Sequence, residues 1–191
     1  MIGTMIRLAP MIEWLKRRTS GLAGDQRGVS AVEFAIILPL MLSVYLGAVE
    51  LSQGIAATRK VTLTARTVAD LVSQVATVNN ADIANSLAAA ATVIEPFSAG
   101  NLKVTVSSVL IDANGKATIA WSETLHGTAH SAGSTVTLPA GLNGAGTSLI
   151  WSEVEYAYTP TIGYVVTNTL TLKDQSYMRP RLSPSVARVN S

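Results

Sequence analysis

From Phe34 to Val49 the chain carries no charge and almost no polar side chain. With its flanks this run covers residues 29–50, enough to cross a hydrocarbon layer as a tilted helix. Glu33 lies at its head and Glu50 marks its far interface. Pro39, inside the run, removes one backbone donor and predicts a kink. Beyond it the apolar positions thin to one stripe: Val61, Ala65, Val68, Val72 and Val75, at helical spacing. Arg59, Arg66 and Asp70 lie off that stripe. The pattern predicts one helix over residues 29–76, about 70 Å long at roughly 1.5 Å per residue. A second helix is expected over 81–94, with Asn80 as its N-cap and Pro96 beyond its end.

After Pro96 the period shortens to two. Leu102–Ile111 is rich in Val, Thr and Ser, and Asp112-Ala113-Asn114-Gly115 follows as a hairpin signal. Lys116–Leu125 is the return strand, with Ala117, Ile119 and Trp121 expected on one face. Ser134–Leu138 is a short strand. Leu149–Tyr158 alternates clearly, with Ile150, Val154, Tyr156 and Tyr158 on one face, and Leu170–Tyr177 closes the series. Helices followed by an antiparallel sheet give an α+β fold. The expected organisation is a basic leader (1–28), a transmembrane helix (29–50), helices on the far side of the membrane (51–96), the sheet region (97–178) and an irregular tail (179–191).

Charge changes this picture in one respect. The net charge is +2. Before Val29 there are five bases (Arg7, Lys16, Arg17, Arg18, Arg27) and two acids, an excess of +3; from Val29 onward the balance is −1. The basic excess therefore precedes the apolar run, where it acts as a topology signal favouring an inside N-terminus. A nucleic-acid-binding surface would need basic residues clustered on the folded part, so no nucleic-acid partner is expected. The chain has no cysteine, which excludes disulfides, thiolate metal sites and a cysteine nucleophile.

Other candidate chemistry is sparse. His126 and His130 have the spacing of a metal pair, but Gly127 and the small residues between them argue for a loop and for solvent-facing or otherwise satisfied rings. No G-x-S-x-G elbow and no phosphate-loop lysine occur. The expectation is a non-enzyme with no catalytic residue, no cofactor and no metal. Trp121, Trp151 and the tyrosines are expected as core or edge residues. Arg179 and Arg181 are expected in a solvated tail or paired with Glu153 or Glu155.

Three stretches carry a family resemblance. The first is R-G-V-S-A-V-E-F-A-I-I-L-P at 27–39. The second is T-A-R-T-V-A-D-L-V at 64–72. The third is E-Y-A-Y-T-P at 155–160 with M-R-P-R at 178–181. Together they resemble TadE-like minor pseudopilins of the Tad (Flp-type) pilus assembly system. The resemblance implies cleavage by a prepilin peptidase between Gly28 and Val29. It implies Glu33 and Phe34 as residues of subunit assembly and register, with Pro39 as the transmembrane kink. Its partners would be the peptidase, other Tad pilins and pseudopilins, and an inner-membrane assembly platform. The chain would sit in the bacterial inner membrane as a single-pass protein, N-terminus cytoplasmic and C-terminal domain periplasmic. After processing it would stay at the base of the pilus or enter it. The role implied is pilus biogenesis in support of adhesion. Val29 stands where ordinary type IV pilins have phenylalanine, which leaves N-terminal methylation open. Two other readings stand beside this one: an unprocessed, membrane-anchored periplasmic interaction module, and a secretory signal cut near Ile55-Ala56-Ala57, which would be overlong.

Overall fold

The structure, a computed structural model, describes residues 26–163 and 167–189. The basic leader therefore lies almost wholly outside the described residues. Helix α1 (Gln26–Ser73) has 48 residues and runs unbroken through Pro39. It ends three residues before the expected limit. Two units divide the chain between Gly47 and Ala48.

The first unit supplies the apolar part of α1. Among the described residues this is the one helix long and apolar enough to cross a membrane, and none of its most apolar window is buried. Ile36 and Leu40 are 72% and 66% exposed. Such a surface is suited to hydrocarbon rather than water.

The second unit is the α+β domain. Helix α1 contributes Ala57, Val61, Ala65, Val68, Ala69 and Val72 to its core, all at most 1% exposed. After α1 come β1 (Thr77–Val78), α2 (Asn80–Val93), β2 (Leu102–Ile111), β3 (Ala117–Leu125), β4 (Thr135–Val136), β5 (Ser148–Tyr158), β6 (Leu170–Met178) and β7 (Ala187–Arg188). Five strands form an antiparallel sheet in the order β4-β3-β2-β5-β6. Its inner face presents Leu102, Val104, Val106, Ile150, Val154, Tyr156 and Tyr158 to the helices, and α2 adds Ile83, Leu87 and Ala90.

The β2–β3 hairpin forms as its sequence expects. Gly115 takes φ +79°, which glycine adopts without a Cβ penalty. The Asp112 carboxylate accepts the Asn114 and Lys116 amides, each at 2.8 Å.

The structure corrects three local expectations. Asn79, not Asn80, caps α2. Its side chain accepts the Asp82 amide while the Asp82 carboxylate accepts the Asn79 amide, a reciprocal capping box. The sequence offers two adjacent asparagines, and the acid three residues beyond the first decides between them.

Ala117, Ile119 and Trp121 do not share a face. Ser108 pairs with Trp121 but Val109 pairs with Ile119, so Ala120 is an extra residue in β3. This bulge turns Trp121 to the inner face and leaves Ala117 and Ile119 on the outer one, in a small second core with Val109, Ile111, Leu138 and Leu149.

Glu50 is 3% exposed and lies close enough to Tyr158 for its charge to help raise that phenol's pKa, after burial, the larger cause. It is thus a buried group of the domain at the end of the apolar run.

The segment after Met178 is not wholly irregular either. Its β7 pairs in parallel with β1, the Arg181 amide donates to Ser73 C=O at 2.9 Å, and buried Val186 accepts the Trp121 indole N–H at 2.8 Å. Arg181 pairs with Asp70 rather than with Glu153 or Glu155.

Candidate functional site

The first turns of α1 hold every residue to which the sequence assigns a role. Gly28 and Val29 lie two and three residues from the described start of the helix. A Cβ built on Gly28 would meet nothing within 4 Å. Among the described residues, packing therefore does not require glycine at 28. What the missing side chain leaves is free backbone beside the 28–29 bond.

Glu33 and Phe34 are both on the surface of the helix, Phe34 60% exposed. The Val29 nitrogen and the Glu33 residue are separated by about one turn, roughly 6 Å of helix axis. The helix passes through Pro39 without ending. Proline has no N–H to give the Ala35 carbonyl, four residues earlier. One turn later the Ser43 hydroxyl donates to the Pro39 carbonyl at 2.8 Å. That bond adds a side-chain donor to a backbone oxygen within the apolar run.

The apolar surface of α1 does not stop at the end of the run. Leu51, Ile55 and Leu63 are 67%, 47% and 50% exposed, and they line a groove of about 1020 Å³ with Pro96 and Phe97. Ala57, on the opposite side, is fully buried. The segment Ile55–Ala57 is thus interior to a packed helix.

The family profile of TadE-like proteins matches residues 28–70. Over this segment the chain is similar to TadE-like proteins. The match begins at Gly28, takes in the apolar half of α1 and ends within the stripe that enters the domain core. No curated protein and no solved structure matches the chain. The sheet therefore lies outside the TadE-like segment.

Two features escaped the sequence. One is the identity of the histidine partners: His126 and His130 lie in a loop with satisfied rings, as expected, the His126 Nδ1 meeting Leu102 C=O at 3.0 Å and the His130 Nε2 meeting the Glu153 carboxylate. No cluster of three metal-ligating side chains occurs among the described residues. Glu155 is the other. It lies between Lys103 and Lys173 at 3.1 and 2.7 Å, and hydrogen bonds from Lys173 and then Lys103 lower its pKa. The spacing of 52 residues between Lys103 and Glu155 leaves no local pattern for such a contact.

Proposed function

We propose that this TadE-like chain is a minor pseudopilin, processed by a prepilin peptidase between Gly28 and Val29 and assembling with other pilin subunits of a Tad-type pilus. The observation that carries the reading is the coincidence of three features at one point. The TadE-like match starts at Gly28, the exposed apolar stretch of α1 follows it, and among the described residues a Cβ on that glycine would meet nothing within 4 Å.

Cleavage would create an amine at Val29 one turn from Glu33. In a bundle of such helices the carboxylate of one subunit is offset by the amine of a neighbour, which fixes their register. Leu51, Ile55 and Leu63 extend the apolar surface available to neighbouring helices. The domain lies outside the cytoplasm in this reading, and the pilus supports surface attachment.

Intact-mass measurement of the membrane-extracted protein tests the proposal. The expected species begins at Val29. A full-length species that persists alongside active peptidase favours the unprocessed interaction module instead. Gly28→Leu is expected to abolish the processed species while leaving the domain's thermal transition unchanged. Glu33→Gln is expected to be cleaved normally and to be lost from assembled fibres. Normal incorporation of that variant would rule out the register role.

A further inference from the structure

The outer face of the sheet, turned away from the helices, has a closed end and an open one. At the closed end Leu138 and its loop cover Val109, Ile111, Ala117, Ile119 and Leu149. At the open end three cross-strand ranks follow one another over β2, β5 and β6: Lys103–Glu155–Lys173, Thr105–Glu153–Gln175 and Ser107–Trp151–Tyr177. The loop after β3 stands beside them and makes a wall. The first two ranks and this wall line an open groove of about 740 Å³, inside the range of roughly 300–1,000 Å³ usual for small-molecule sites.

The wall is tied down by specific means. His126 takes φ +54°, unusual for a residue with a Cβ, and its ring reaches the Leu102 carbonyl. Gly127 follows, where a Cβ would lie 2.7 Å from Thr124 Oγ1, so the backbone is pressed against the sheet. His130 stacks on Trp151 with ring centroids 4.9 Å apart, and Trp151 stacks on Tyr177 at 5.8 Å.

The floor is also fixed before any ligand arrives. Glu155 is held by two lysines and Glu153 by His130. The Gln175 carbonyl oxygen accepts both the Trp151 indole N–H and the Tyr177 hydroxyl, at 3.2 and 3.1 Å.

This arrangement selects a chemistry. Each charged group in the ranks already has a partner, Lys103 and Lys173 sharing Glu155 and Glu153 meeting His130, so a charged ligand would compete with a contact already in place. An apolar ligand would desolvate lysines and carboxylates without replacing their hydrogen bonds. β2 and β5 are bonded on both sides, so the middle of the groove offers no open backbone ladder to a peptide strand; the free edge is the far side of β6. A hydroxyl both donates and accepts. A row of hydroxyls can therefore bridge ammonium to carboxylate across the ranks and leave the existing pairs intact. From this we infer that the groove binds a neutral saccharide. The inference does not depend on processing at Gly28, because the groove is built entirely from residues 103–175.

The test uses the full chain in micelles of a zwitterionic, sugar-free detergent, titrated with maltose, cellobiose and lactose while amide and Trp151 indole NMR signals are followed. The expected result is saturable shifts confined to the groove for at least one of the three. Glu153→Gln and Lys173→Met should each weaken binding about tenfold, since each removes a hydrogen bond to a charged group. Lys173 is largely exposed, so its loss leaves the fold intact even if the Glu153 variant does not fold. Inorganic phosphate and galacturonate serve as charged controls. The proposal is overturned if none of the three sugars shifts the groove signals, if only the charged controls do so, or if Lys173→Met binds as tightly as the parent chain.

Discussion

The two halves of α1 belong to one helix and obey opposite rules. Up to Val49 the side chains are apolar nearly all the way round and exposed, Ile36 at 72%. From Ala57 onward one narrow stripe is apolar and buried, Val68 at 0%, while Arg59 and Arg66 face out. Backbone hydrogen bonding is the same in both, so helicity says nothing about what surrounds each half. The surroundings are set by how far around the helix the apolar residues extend. The first half requires a hydrocarbon solvent; the second makes its own from a sheet and a second helix.

That contrast can be broken by moving one substitution along the helix. Val68→Asp places an unpaired charge in the domain core and is expected to cost about 4 kcal/mol, enough to unfold most small domains. Loss of the cooperative thermal transition in micelles would show it. Ile36→Asp makes the same chemical change in the first half. It should leave the domain's transition in place and reduce membrane insertion by about 3 kcal/mol, read from the fraction integrated in microsomes. If Ile36→Asp lowers the thermal transition as much as Val68→Asp does, the division of labour along α1 is wrong.

Smaller effects sharpen the boundary of the second half. Asn79→Ala removes the cap of α2 and should cost about 1 kcal/mol by denaturant titration, with the slope unchanged. Asn80→Ala should cost less, because Asn79 holds the capping position.

The smallest expected effect is a pH dependence. The folded pKa of Glu155 is depressed below 4.5 by Lys173 and Lys103. Its contribution is therefore present above that value and is lost as pH falls through the folded pKa. Glu155→Gln should make the acid limb of the stability curve slightly shallower, and a steeper limb would contradict the assignment. Because all three side chains meet solvent, the change will be small.

The sequence made local and periodic features legible. The stripe from Val61 to Val72, the Asn114-Gly115 turn and the alternation of β5 all follow from side-chain spacing, and each is found. What it concealed depends on residues far apart in the chain. Nothing near Ala120 announces a bulge, because its effect appears only when Ser108 and Val109 are laid against β3. The Lys103–Glu155–Lys173 rank requires three strands in register before the charges meet. At the head of α1 the position is reversed. Gly28, Glu33 and Pro39 could be singled out from the sequence because their spacing along one helix is the whole of the signal, and the fold adds only that Gly28 is sterically unconstrained.

The parallel pairing of β1 with β7 also bears on how the domain comes to be folded. Thr77 and Ala187 are neighbours in that pair although the entire five-stranded sheet lies between them in the chain. Contacts of such long sequence separation carry the largest loop-closure entropy until the intervening structure has formed. The segment around Val186 is therefore placed to act as a latch that engages last. Until it does, the Trp121 indole has no acceptor and Val78 has no cover, so an intermediate with a complete sheet would still be open at this corner. Stopped-flow refolding followed by tryptophan emission should then show the Trp121 environment maturing after the hairpin amides are protected, a temporal order imposed by chain connectivity alone.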